Sequence, residues 1–370
     1  MVQAIIDIGS NTIRLAIYKI EDDKLTVLLS KKHTAGLASY MKKGKMMQEG
    51  IDRACMALDD FKLLLDNFNI TNVAAFATAA LRNVSNSAEA VAEITERTGV
   101  PIAVISGSEE ATLDFVGATH AMKTEDGLLI DIGGASTELV IYKNAEIVNA
   151  ISIPLGSLNA CSQYVHGLLP DKSERKAIKE AVLAELDDYI ELDSEKQPVI
   201  CGVGGTIRAA RKINNHLFNL PMDNVEIKAP NVKKMIKLLE NDEDDHLISS
   251  ETLEILLKTV PDRIGTILPG MIILHTIIKY FKSETIVVSD SGVREGYLYS
   301  KVLKTPKAVK KNDVAVVLEN KVSAVKESTE VKEKVESKTV KKAATNKNNK
   351  CKAKEEKVAV EVKDGESKKS

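Results

Sequence analysis

The chain has 370 residues, 44% of them hydrophobic but only 4% aromatic, with no tryptophan, so aliphatic side chains must build a core large enough for more than one domain. A formal net charge of −2 gives no overall attraction for nucleic acid, and Cys55, Cys161, Cys201 and Cys351 are scattered without metal-site spacing or a disulfide framework. No apolar run reaches membrane-spanning length, residues 264–280 being broken by Pro269, Gly270 and His275. Met1-Val2-Gln3 runs straight into the first strand with no signal-peptide pattern, so a cytoplasmic protein is expected.

Strands are predicted over 4–8, 13–20 and 24–33, the last two joined by the polar turn Glu21-Asp22-Asp23. Residues 36–45 read as a loop whose basic cluster, Lys42, Lys43 and Lys45, is either solvated or in contact with a polyanion. Residues 48–68 carry helical apolar spacing (Ile51, Ala54, Cys55, Leu58, Phe61, Leu64, Leu65). A strand follows over 73–78, then a segment 79–84 carrying Arg82, a helix over 86–98 ended by Gly99 and Pro101, and a strand over 102–105. The next helix runs through Val116, with Ser108 as its N-cap and Glu109 and Glu110 favoured in its first turn by the helix dipole.

The stretch 128–142, LLIDIGGASTELVIY, reads as a β-hairpin with a tip held tight by Gly133 and Gly134. Glycines let backbone N–H groups approach an anion. Ser136 and Thr137 can donate to the same anion, and Asp131 and Glu138 offer oxygen to a hard cation. Residues 4–18, AIIDIGSNTIRLAIY, repeat that grammar with Asp7, Gly9, Ser10, Asn11 and Thr12, so two halves of related design each present a phosphate loop to a shared cleft. A third glycine loop, 199–210 (VICGVGGTIRAA), leads from strand to helix through Gly204, Gly205 and Thr206 and offers a further anion-facing N-terminus. Between these loops, the second half carries a strand over 146–153, helices over 158–164 and 171–189, and a strand over 198–201. Helices over 231–240 and 250–259 flank an acidic bend at 241–245, and an apolar helix over 268–281 begins beside Pro269. A strand over 285–289 and a closing helix over 293–303 complete the order. From residue 305 onward there are 18 lysines and 11 acidic residues, and Leu318 is the single large aliphatic other than valine. Such a segment cannot offset its ordering entropy by burial, so a disordered, solvated tail is expected.

DIGSNTIRL, ATAALR, ISGSEEA, LLIDIGGASTELV, GVGGT and SDSGVREGYL occur in this order, and together they resemble the Ppx/GppA family of exopolyphosphatases and guanosine pentaphosphate phosphohydrolases. The resemblance covers about residues 3–303. It implies an α/β fold of two ribonuclease-H-like domains of the actin, Hsp70 and sugar-kinase kind, at 1–118 and 119–304, with 305–370 as the tail. It also implies hydrolysis of a terminal phosphoanhydride in a Mg²⁺-dependent cleft, with Mn²⁺ as an alternative ion. Glu110 matches the family's general base. Asp131, Glu138 and Asp7 match metal carboxylates. Gly9, Ser10, Asn11, Thr12, Arg14, Gly133, Gly134, Ser136, Thr137, Gly204, Gly205 and Thr206 match the phosphate loops, and Arg82 the ATxxLR arginine that would neutralise developing charge. The expected substrate is inorganic polyphosphate, or alternatively guanosine pentaphosphate; a homodimer is expected, with no nucleic-acid or membrane partner. A sugar- or acid-kinase-like ATPase and a non-catalytic polyphosphate-binding regulator are further readings. The chain departs from the family pattern at Thr34-Ala35-Gly36-Leu37, at Asn159 in PLGSLNA, where a basic residue is frequent, and in lacking the helical HD-like region of longer members.

Overall fold

The computed structural model describes residues 1–303 apart from 23, 122–124, 190–195 and 241–248. The expected acidic bend at 241–245 and the expected tail at 305–370 lie outside the described residues. All described residues fall in one compact unit, Met1–Val309.

Alternating apolar patterning makes β1 (Val2–Ile8), β2 (Thr12–Glu21) and β3 (Lys24–Thr34) an antiparallel meander, with Asp7 opposite Arg14 and Ile8 opposite Ile13 at the first tip. The short hairpin of β4 (Met41–Lys42) and β5 (Lys45–Met46) leads into α1 (Gln48–Asn67). Then β6 (Val73–Ala77), α2 (Ala79–Arg82), α3 (Ser87–Thr98) and β7 (Ile102–Val104) add two parallel strands beside β1, giving the order β3-β2-β1-β6-β7. After α4 (Gly107–Ala121) the plan recurs. The strands β8 (Gly127–Ile132), β9 (Thr137–Lys143) and β10 (Glu146–Ile153) form a meander. Next come α5 (Ser157–Tyr164), α6 (Lys172–Tyr189), β11 (Val199–Val203), α7 (Gly204–Leu217) and β12 (Glu226–Lys228). The chain continues through α8 (Ala229–Leu239), α9 (Ser250–Thr259), α10 (Ile264–Tyr280), β13 (Thr285–Val288) and α11 (Val293–Tyr297). The second sheet has the order β10-β9-β8-β11-β13-β12. In both sheets a three-stranded meander receives two parallel strands beside its first strand, so the fold is a doubled ribonuclease-H-like α/β architecture.

Several elements differ from the sequence reading. The strand β12 is only three residues between polar ends, which hides it from any periodicity. The helix α10 starts at Ile264 and keeps Pro269 inside; burial around most of its circumference outweighs the one i→i−4 bond that the proline removes. The closing helix is interrupted, α11 giving way to a π-helical turn, Leu298–Val302.

Two helices change sides. Although α4 follows the first sheet in sequence, it packs on the second: Ala111, Phe115 and Ala118 share a core with Leu129, Val140, Tyr142 and Val203. Conversely, the chain after the second sheet packs on the first, Leu298 against Ile5, Ala16 and Tyr18, and Tyr297 stacked on Phe76 with ring centroids 5.0 Å apart. The two helices pass at glycines. A Cβ on Gly117 would strike the carbonyl oxygen of Gly292, and one on Gly296 the carbonyl oxygen of Leu113. These neighbours are backbone, so they cannot swing away. Gly117→Ala and Gly296→Ala should therefore each lower stability by roughly 3 kcal/mol, read as a fall in melting temperature. Gly265→Ala, whose Cβ would meet only ordinary contacts near 3.8 Å, should leave it unchanged or raised. Equal melting temperatures for all three would show that the crossing has room to spare.

Candidate active site

Each hairpin tip is closed by its own backbone: the N–H of Gly9 donates to the carbonyl of Thr12 at 3.2 Å, and that of Gly133 to Ser136 at 2.9 Å. The tips meet, since a Cβ on Gly134 would lie 3.0 Å from Cβ of Ser10 and 3.2 Å from the nitrogen of Asn11. The second tip is seated on α5, whose Leu158 and Asn159 N–H groups donate to Gly134. Asn159 itself accepts from the Gly156 N–H and donates to the carbonyls of Ala135 and Pro154. Where a basic residue is frequent in the family, this chain has an amide that fixes the loop. The third loop arrives through Gly204, whose φ of +80° and contact with Asp131 leave no place for a side chain. Between the loops runs a cleft lined by Asp7, Gly9, Ser10, Asn11, Thr12 and Arg14, by Gly133, Gly134 and Ser136, and by Gly204 and Gly205, with Glu110 and Asp131 facing into it.

One wall is anionic. Glu110 sits in the first turn of α4, which is capped by Ser106, its hydroxyl accepting from the Glu109 N–H at 3.1 Å; the expected cap, Ser108, is one residue inside the helix. Burial pushes the Glu110 carboxyl well above the usual carboxylate range, helped by Glu138 and opposed by Arg82. Arg82 donates to Glu110 Oε2 at 2.6 Å and lies 3.7 Å from Glu138 Oε1, so one guanidinium serves two carboxylates. Glu138 is 1% exposed and accepts from Ser152 at 2.7 Å; burial raises it, against Arg82, Ser152 and Ser136. Asp131 is raised to about 7 by burial and then by Glu138, with Arg208 opposing. It remains partly open to the cleft.

The lining is also strongly cationic. Arg14, Arg208, Arg263 and Arg294 all line the cleft. Burial lowers Arg14 to about 10, with Arg294 and Arg208 adding repulsion. Arg208 reaches the carbonyls of Ser289 and Asp290 at 3.3 and 3.4 Å. Asp7 is raised by burial and drawn back by Arg294 and Arg14. Glu295 ties this part of the lining to the frame: it accepts from Tyr18 at 2.5 Å and from the Gly292 N–H at 2.9 Å.

Four of the expected residues are not in the lining. Thr137 is fully buried and donates to the carbonyl of Leu155 at 2.6 Å. Thr206, 2% exposed, reaches only the Ser157 hydroxyl at 3.4 Å. Glu138 and Arg82 stand behind Glu110, as the ion pairs above describe. Lys42, Lys43 and Lys45 are exposed on the β4–β5 hairpin, outside the lining. Conversely, the sequence reading passed over Asp114, Arg208, Arg263, Arg294 and Glu295. Arg294 and Glu295 lie within SDSGVREGYL and Arg208 four residues after Gly204, so adjacency to a glycine loop was a usable signal. Asp114, a lone charge in the apolar run of α4, was another; for Arg263 there was none.

The model of the Ppx/GppA phosphatase family matches residues 16–305. The chain is 27% identical over 306 residues to the bifunctional 3-dehydroquinate synthase/phosphatase of Fusobacterium nucleatum, covering 78% of this chain and 45% of that one; it thus spans less than half the length of that relative. A Haemophilus influenzae protein named "Putative exopolyphosphatase" is 28% identical over 302 residues, 80% of this chain and 90% of its own. Among solved structures, the Ppx/GppA family member of Aquifex aeolicus superposes with a TM-score of 0.65 at 27% identity, covering 83% of this chain and 99% of that one. In fold alone, an exopolyphosphatase from Cytophaga hutchinsonii superposes with a TM-score of 0.72 at 24% identity, covering 84% and 100%. With the family model spanning most of the chain and the two glycine hairpins meeting over Glu110, the chain belongs to the Ppx/GppA phosphatase family.

Proposed function

We propose that the protein is a cytoplasmic exopolyphosphatase that hydrolyses the terminal phosphoanhydride of inorganic polyphosphate and releases orthophosphate. The observation that carries this reading is the lining itself: glycines, hydroxyls, arginines and carboxylates, with Ile132 and Val293 its only large apolar residues and no aromatic ring among the described residues. Such a surface reads phosphate oxygens and offers a guanine nothing to stack on. Guanosine pentaphosphate is the alternative substrate, and the phosphate name of the Haemophilus relative favours the first choice.

The chemistry requires a water aimed in line at the terminal phosphorus, and positive charge on the equatorial oxygens. Glu110, raised by burial yet held by Arg82, orients that water and takes its proton as the new P–O bond forms and the bridging P–O bond breaks. The departing oxygen carries its electrons to the shortened chain. Arg14, Arg208, Arg263 and Arg294 stabilise the charge spread over the phosphates. The hard carboxylate oxygens of Asp131, Asp7 and Glu138 suit Mg²⁺ or Mn²⁺. Among the described residues no three acidic, histidine or cysteine side chains are grouped to hold a metal ion by themselves. When bound, the cation neutralises phosphoryl oxygens.

Glu110→Gln should cut phosphate release from short polyphosphate by about 10²–10⁴-fold while leaving polyphosphate binding in place; turnover within a few-fold of wild type would reduce Glu110 to a structural ion pair. In direct competition at equal concentration, polyphosphate should be consumed about tenfold or more faster than guanosine pentaphosphate. The reverse order would promote the alternative substrate.

Asp131 supplies a test by pH. Burial and then Glu138 raise it from the ordinary carboxylate value of 3.8 to about 7, so the folded protein binds the extra proton and the benefit is complete below about pH 4. That benefit is lost as pH rises through 7. Chelator-treated wild type should therefore lose melting temperature between pH 4 and 7 relative to Asp131→Asn, which lacks the titrating group. Parallel curves for the two would remove Asp131 from the strained carboxylate set.

A further inference from the structure

The cleft floor holds a carboxylate for which the hydrolytic scheme has no task. Asp114 lies one helical turn beyond Glu110 on α4, on the same face. It is fully buried, and neither of its oxygens has a hydrogen-bond partner of good geometry; the backbone N–H of Val293 stabilises its charge only weakly against burial and three like charges. An unsatisfied buried carboxylate is among the costliest groups a fold can carry. Its surroundings deepen the cost: Asp131, Glu110 and Glu138, all of its own sign, repel its charge. None of the arginines described above forms an ion pair with it. Gly292 is held close over it, since a Cβ there would lie 3.0 Å from Asp114 Oδ1. The residue borders the cleft beside Asp131 and the Gly204 loop. A group so placed calls for positive charge from the cleft.

We propose that Asp114 belongs to the divalent-cation site of this protein, acting on the ion from the buried side of the cleft lining that it shares with Asp131. The inference rests on the cation-dependent reading above. Asp114 acts through the field of its charge, which is strong in a site shielded from bulk water, rather than as one corner of a finished cage. An apolar residue at this position would pack α4 as well, so a structural role does not account for the carboxylate. Because Asp114 acts on the ion and touches neither substrate nor attacking water, it is a positioning residue.

The test is Mn²⁺ binding to the full chain without substrate, followed by calorimetry and by the quenching of the free-ion paramagnetic resonance signal. Asp114→Asn keeps the shape and removes the charge. It is expected to weaken Mn²⁺ binding about tenfold or more and to raise the melting temperature of the metal-free protein, whereas Asp114→Glu should recover part of the affinity. Asp114→Ser is read in its place if the asparagine variant fails to fold by circular dichroism. Mn²⁺ affinity within twofold of wild type in a folded neutral variant would overturn the inference and leave Asp114 as an acid buried in its neutral form. Failure of the wild type itself to bind Mn²⁺ would instead sink the cation dependence on which the inference stands.

Discussion

A single guanidinium decides whether the anionic wall can exist. Glu110 and Glu138 are both buried, and Arg82 lies between them, 2.6 Å from one and 3.7 Å from the other. Breaking a buried pair by removing one partner typically costs about 3–5 kcal/mol; here the loss of Arg82 would leave two carboxylates unpaired at once. The arginine is placed by a four-residue helix, α2, at the end of β6, and is further held by the carbonyl of Ile105 and the side chain of Asn83. Its partners come from elsewhere in the fold, Glu110 from α4 and Glu138 from β9. The ion pair is therefore also a tie between the first sheet and the hairpin of the second.

The two hairpins were legible because their chemistry is local. An acid, a glycine turn, hydroxyls and a flanking apolar strand fit within fifteen residues, and the tips meet as that repetition implied. What the sequence concealed was parity and distance. Ser136 and Thr137 are neighbours with the same chemistry, yet Thr137 opens β9 and turns inward to the Leu155 carbonyl, whereas Ser136 remains in the lining. Thr206, inside the first turn of α7, is drawn into the core beside Ser157 in the same way. Arg263 reaches the cleft from a 3₁₀ turn ahead of α10, some sixty residues after the glycine loop it covers, and no local pattern records such a meeting. Gly205 registers it indirectly, since a Cβ there would collide with the Arg263 guanidinium.

Both signs of charge reach the cleft from several elements. The carboxylates come from β1, the second hairpin, α4 and α11, the arginines from β2, α7, α11 and the turn before α10. An anionic chain entering between them meets arginines whose burial has already removed their water, and fixed charge in such a site needs little reorganisation when charge develops on the substrate. The exposed lysines of the β4–β5 hairpin lie apart from this lining and retain their hydration.

The exchange of α4 and α11 between the sheets explains why these charged groups keep their register. Glu110 belongs in sequence to the first half, but its helix is anchored by Ala111, Phe115 and Ala118 in the core of the second. Arg294 belongs to the second half, yet the Glu295 beside it accepts from Tyr18 of β2, and Tyr297 and Leu298 pack on the first sheet. Glu295 also accepts from the Gly292 N–H, so the bond that anchors α11 to the first sheet also shapes the turn lying over Asp114. The glycines at the crossing are the geometric condition for that arrangement, because only there can the backbones of α4 and α11 pass closely enough for both anchors to close.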